Sequence, residues 1–283
     1  MRPWSRPFAG RLEELSIESE ALAGNALGDP ATRPLWVYLP PGYDAEPGRR
    51  FPAIYLIQGM TGQLDMWRNR SAFRPTTLEN IDALFAGEGP ARSAAEGPGS
   101  VAPPPTIVVL VDCWTSYGGS QFLDSPATGR YHTYLCEEVV PFVDARFRTL
   151  ADRDHRAITG KSSGGYGAMV TPMLRPDRFG ALATHAGDAL FEVCYGPMFA
   201  GAARTLRDEY GGSIEAWWSD FRSRPAFSKP ADEACLEAVG YSACYSAEPD
   251  GTIRYPFDPA TGELVPEVWA RWLAKDPVRM ART

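Results

Sequence analysis

Three stretches of the chain are nearly unbroken runs of aliphatic, β-branched and aromatic side chains: PLWVYLPPGY (34–43), FPAIYLIQG (51–59) and TIVVLVDCW (106–114). A strand with one wet face alternates apolar and polar positions. Runs that are apolar throughout predict strands covered on both faces, as in a parallel sheet flanked by helices. RAITG (156–160) and ALATHAG (181–187) predict two further strands, the second of them buried. Between the third and fourth runs, Tyr131, Leu135, Val139, Phe142 and Phe147 recur at helical spacing, and Pro141 inside that stripe predicts a kink. GGYGAMVTPMLRPDRF predicts a helix that ends near Arg175.

The pattern as a whole is α/β, with a mostly parallel sheet and helices on both faces, in a single domain spanning 1–283. Residues 87–105, GEGPARSAAEGPGSVAPPP, have hardly an apolar anchor and predict a flexible Pro/Gly-rich loop inside the domain rather than a boundary between two. After the last strand, residues 189–283 read as helical and irregular, with Trp217, Trp218, Phe221, Trp269 and Trp272 as packing residues. There is no internal repeat.

Composition adds exclusions. The chain is 44% hydrophobic and carries a formal net charge of −7, so no basic surface draws in nucleic acid or anionic lipid. The start lacks the apolar core of a secretory signal and no run is long enough for a membrane span, which predicts a cytoplasmic protein. The cysteines Cys113, Cys136, Cys194, Cys235 and Cys244 show no C-x-x-C or Cys/His spacing and read as buried thiols. No metal or organic cofactor is implied.

The chemistry concentrates at Gly160-Lys161-Ser162-Ser163-Gly164, a G-x-S-x-G pattern. Glycine in a regular element costs about 0.5 to 1 kcal/mol relative to alanine, so this cluster, extended by Gly165 and Gly167, needs a geometric reason. Strand, tight turn and small-residue helix are the context of a nucleophile elbow, in which the serine is thrown out above the sheet. The pattern selects Ser162 as nucleophile. Ser163 N–H at the helix start and Met60 N–H in the loop after the second apolar run are the expected oxyanion donors.

With these residues in place the sequence resembles the esterase family of the α/β-hydrolases that takes in esterase D (S-formylglutathione hydrolase), feruloyl and enterochelin esterases, and mycolyltransferases. VYLPPGYD is similar to its opening strand and turn, YLIQGMTGQLDMW to its oxyanion strand and loop, and YHTYLCEEVVPFVDARF to its helix with Glu-Glu-x-x-Pro. TGKSSGGYGAM with RPDRFGALATHAGD is similar to its elbow and next strand. The resemblance runs from about Leu35 to Asp188. It implies an α/β-hydrolase fold and an acyl-enzyme on Ser162, acting on a small carboxylic ester or thioester. Transfer of the acyl group to another alcohol is an alternative, as is a ligand-binding member without a working triad.

Two departures stand out. Gln58 occupies the position where the family often has histidine. The family also places its acid and histidine on later strand-end loops, yet none of the three histidines lies beyond His185. His155 precedes the elbow strand and, at about 3.3 Å per residue, sits roughly 20 Å from Ser162. His132 reads as a helix-start surface residue. His185 ends the strand beside the elbow strand with Asp188 close behind, so Ser162, His185 and Asp188 form a candidate substitute triad; otherwise His185 and Asp188 line the pocket or hold its loops, or are simply packed and solvated. Gln58, Trp114, Tyr117, Trp67 and the segment 196–224 are further pocket candidates. The absent histidine and the ending AKDPVRMART predict a chain lacking the family's C-terminal strands, poorly active alone, with the His185 strand left as an exposed, aggregation-prone edge.

Overall fold

The apolar runs become the inner strands of one sheet. The computed structural model describes residues 5–87, 103–225 and 228–282; most of the loop expected at 87–105 lies outside them. The strands are β1 (Arg11–Glu18), β2 (Thr32–Leu39), β3 (Ala53–Ile57), β4 (Ile107–Val111), β5 (Arg156–Lys161) and β6 (Ala181–His185). Their order across the six-stranded sheet is β1-β2-β4-β3-β5-β6. β4, β3, β5 and β6 are mutually parallel, and β2 runs antiparallel to both β1 and β4. This is an α/β-hydrolase sheet. All of IVVLV in β4 is buried, as the unbroken run demands.

β1 was not among the expected strands. Its sequence, RLEELSIE, carries three glutamates and one arginine, so its apolar set is only Leu12, Leu15 and Ile17. An edge strand of this kind presents the weak alternating signal of a half-solvated surface.

The stripe that begins at Tyr131 is helical to Arg146, but through three different windings: Tyr131–Thr133, a π-helical Tyr134–Val139, and α2 (Val140–Arg146), which follows α1 (Thr77–Phe85) in the chain. Pro141 sits in the first turn of α2, where its missing N–H does least harm, and the wide turn precedes it. The expected kink is thus replaced by a winding change. Because a π turn takes up an extra residue, the buried stripe shifts: Val143 faces the core, while Phe142 and Phe147 pack only at its rim.

α3 (Ser163–Leu174) follows β5 directly and is capped by Arg175. The later part of the chain contributes α4 (Gly196–Tyr210), α5 (Ile214–Ser223), α6 (Asp232–Tyr245) and α7 (Pro266–Leu273). They enclose an apolar cluster of their own, in which Trp217 and Trp272 are fully buried and Trp218, Phe221 and Trp269 pack from the periphery. Met60 and Tyr117 join this cluster, which brings the helices over the end of the sheet that carries the G-x-S-x-G turn. At Gly240 of α6 an added Cβ would lie 2.5 Å from the Tyr117 carbonyl and 2.6 Å from Met60 Cε, so the helix backbone is in direct contact with that loop.

β6 forms as expected, but it is not buried: all five of its residues are exposed. It is the last strand of the sheet, and its outer edge is unpaired among the described residues. Leu182 is 44% exposed on it, and α3 ends beside it in exposed Met173 and Leu174. Its sequence, ALATH, contains none of the lysine or proline that usually guards an edge. Leu182→Lys is therefore expected to raise the monomer fraction at a given protein concentration, as read by light scattering after size exclusion; an unchanged distribution would mean that this edge does not drive association.

Candidate active site

β5 ends at Lys161 and α3 begins at Ser163, leaving Ser162 alone to make the turn. It does so with φ 55° and ψ −126°, a conformation that costs a non-glycine residue about 1 to 3 kcal/mol unless its surroundings hold it there. Two main-chain bonds hold it: Ser162 N–H donates to the His185 carbonyl at 3.0 Å, and Tyr166 N–H donates to the Ser162 carbonyl at 2.9 Å.

The flanking glycines have a steric explanation. A Cβ on Gly164 would sit 2.5 Å from the Ile57 carbonyl oxygen and 2.7 Å from that of Gln58, and one on Gly160 would sit 2.5 Å from the Gly164 carbonyl. The first turn of α3 is thus pressed against the end of β3. A Cβ on Gly59 would lie 3.0 Å from the Lys161 carbonyl oxygen and 3.4 Å from Ser162 Cβ, so the loop after β3 comes directly beside the serine. That loop is pinned by Thr61 N–H donating to the Gly118 carbonyl at 2.7 Å. Neither Met60 N–H nor Ser163 N–H has an acceptor among the described residues.

Half-buried Ser162 opens into a cavity of about 300 Å³ lined by Met60, Thr61, Ser162, Glu233, Leu236 and Glu237. The last three come from α6 at positions i, i+3 and i+4, one face of the helix. They were missed in the sequence, although two carboxylates four residues apart in the otherwise small and apolar EACLEAVGYSAC signal a helix that buries one side and offers charge on another.

The candidate triad does not assemble. β6 presents the elbow with the backbone of His185, whose carbonyl takes the Ser162 N–H, while its imidazole has no hydrogen-bond partner among the described residues. Asp188 is engaged elsewhere: its Oδ2 accepts from Tyr195 OH at 2.9 Å, from Gln121 Nε2 at 3.4 Å and from Ser163 Oγ at 3.5 Å. Burial pushes its carboxyl above the usual carboxylate range, against these hydrogen bonds. Asp188 therefore lies under the elbow with Ser163, not with Ser162. His155 is exposed and bonded to Asp152 at 2.8 Å. His132 is half-buried near Cys136 Sγ at 3.9 Å, and burial lowers its pKa.

The other pocket candidates do not line the Ser162 cavity, although Gln58 shares a small cavity with Met60 and Ser163. Gln58 is 2% exposed and donates to Asp112 at 3.3 Å, beside the buried Arg33–Asp112 ion pair at 2.8 Å. Trp114 lines a separate cavity of about 280 Å³ with Arg33, Trp36 and Asp112. Tyr117 packs on Trp218 at 5.1 Å, and Trp67 is buried beside Leu64 and Leu78. All five cysteines are free, but Cys194 is exposed rather than buried because it lies on the short helix Phe191–Cys194 at the surface. Among the described residues no cluster of His, Cys, Asp and Glu is arranged to hold a metal, and no helix is long and apolar enough to cross a membrane.

Comparison with known proteins finds similarity to esterases. The model of a family described as "Putative esterase" matches residues 118–249. Esterase Rv1288 of Mycobacterium tuberculosis (strain ATCC 25618 / H37Rv) is 27% identical over 184 residues, which cover 63% of this chain and 34% of that protein. S-formylglutathione hydrolase of Mus musculus is 24% identical over 191 residues, 65% of this chain and 60% of that one. The chain thus spans about a third of the mycobacterial relative's length. Among solved structures, a ferulic acid esterase superposes with TM-score 0.48 at 23% identity over 64% of this chain and 61% of that one. An S-formylglutathione hydrolase from Agrobacterium tumefaciens superposes with TM-score 0.46 at 17% identity over 96% and 86%.

Proposed function

We propose, from the premise that the chain is similar to the esterases of the α/β-hydrolase fold, that it is a serine hydrolase acting on a small carboxylic ester or thioester through an acyl-enzyme on Ser162. The observation that carries this reading is the backbone of Ser162. A non-glycine residue held at φ 55° between a strand and a helix, with unengaged N–H groups at Met60 and Ser163 and a cavity in front, suits attack on a carbonyl.

In this mechanism Ser162 Oγ adds to the acyl carbon and gives up its proton through solvent to the leaving oxygen or sulfur, while the carbonyl oxygen takes up negative charge. Met60 N–H and Ser163 N–H donate to that oxygen, the second with the positive end of the α3 dipole behind it. Collapse expels the alcohol or thiol and leaves the acyl group on Ser162, from which water removes it. With an alcohol in place of water the same steps transfer the acyl group. A specific observation supports a second reading: no described histidine lines the Ser162 cavity, so the chain without a base would be a ligand-binding member of the fold.

Mixing with p-nitrophenyl acetate under pre-steady-state conditions separates the two. The hydrolase reading predicts a burst of p-nitrophenol approaching one per protein molecule, followed by slower turnover. Neither burst nor turnover in a protein with wild-type melting behaviour would favour the binding reading.

A further inference from the structure

The wall that faces Ser162 across the cavity is α6, and it presents Glu233, Leu236 and Glu237. Neither glutamate has a cationic partner among the described residues. The basic side chains near the start of the helix are engaged elsewhere: Arg224 with Asp220 and Asp232, and Lys229 with Asp220. Glu233 is exposed and Glu237 half-buried. A carboxylate withdrawn from water without a counter-charge is costly, and two of them one turn apart repel each other. Met60, Thr61 and Leu236 complete the lining of the same cavity. That a ligand enters this space does not rest on the glutamates. It rests on Ser162 and on the open Met60 and Ser163 amides beside it, so the carboxylates act on the choice of ligand.

We propose that Glu233 and Glu237 select an ester whose acyl or alcohol part carries a positive charge, in the form of a substituted ammonium group. This deepens the ester-hydrolase reading and rests on it. A cation seated between the two carboxylates supplies the counter-charge the cavity lacks, and an anionic ester is repelled from it.

Selectivity of this origin depends on pH. Burial, followed by the charges of Glu233 and Asp188, pushes the Glu237 carboxyl up to about 7, against a hydrogen bond from Tyr241. The titratable groups facing it are Glu233 and Tyr241 from α6, and Asp188 and Cys194 from the chain after β6. A raised carboxyl is neutral below its pKa, so the preference for a cation is fullest above about 7 and weakens as pH falls through that value.

The test is binding to the Ser162→Ala protein, in which no turnover interferes. Acetylcholine is titrated calorimetrically against its uncharged carbon isostere, 3,3-dimethylbutyl acetate. At pH 8 the cation is expected to bind at least about tenfold more tightly, with a smaller margin at pH 6; in Glu233→Gln/Glu237→Gln the margin is expected to fall to near one. Equal affinities, no binding of either ester, or a preference that survives the double substitution would overturn the proposal. Selective binding of the cation combined with no fluorophosphonate adduct on the wild-type serine would sink the hydrolase reading and leave the cation pocket standing; an adduct without cation preference would do the reverse.

Discussion

Ser162→Ala is expected to lower ester hydrolysis by at least about a thousandfold while leaving the melting temperature nearly unchanged. The two halves of this expectation have separate physical causes. Catalysis falls because the oxygen that forms the acyl bond is gone, and no neighbour can replace it: Ser163, one residue on, is buried with its hydroxyl turned toward Asp188 and Tyr241. Stability is spared because the turn is held by the main chain of residue 162, through His185 and Tyr166, and alanine keeps both bonds. Ser162→Gly sharpens the comparison. Glycine adopts φ 55° without a Cβ penalty, so this variant is expected to be equally inactive yet more stable than wild type by about 1 kcal/mol, roughly 2 to 4 °C in Tm. Equal activity in all three proteins would show that the hydroxyl is a bystander.

The second large effect is on folding. Gly164→Ala places a methyl group 2.5 Å from the Ile57 carbonyl oxygen and 2.7 Å from that of Gln58. Both obstacles are backbone at the end of β3, an inner strand held on two sides by β4 and β5, so neither side can relax cheaply. The expected loss is about 3 kcal/mol or more, equivalent to a fall in Tm of roughly 6 to 12 °C. Gly201→Ala is the control. Gly201 lies within α4 with nothing within 4 Å of an added Cβ, so the same chemical change there is expected to stabilise by about 0.5 to 1 kcal/mol. Thermal melting followed by circular dichroism distinguishes the two, and coincident melts would mean that the helix is not seated against β3 as described.

How far these features could be read from the sequence depends on how local their causes are. β4 was legible because a strand buried on both faces writes itself as IVVLV, with no polar interruption. The turn at Ser162 was legible because a sharp strand-to-helix turn needs glycine at fixed offsets, and the chain supplies Gly160 and Gly164. β1 was hidden because its three apolar residues are split between the two faces of the strand and diluted by charge. The shift from Phe142 to Val143 was hidden because a π turn changes the register without changing composition. The cavity was the least legible part. Its far wall comes from α6, about seventy residues beyond Ser162, and nothing local in EACLEAVGYSAC says which strand end it will cover. The side-chain partners of the large polar and aromatic residues near the turn were hidden for the same reason. Gln58 serves the Arg33–Asp112 pair and Trp114 opens on another cavity, and both placements are set by contacts far away in the chain.

Labelling with a fluorophosphonate, followed by intact-mass measurement and peptide mapping, tests the central claim most directly. One phosphonyl group per chain, mapped to Ser162 and lost in Ser162→Ala, is the predicted result. A folded protein that takes up no label, or that carries it on Ser163 or any other residue, would contradict it.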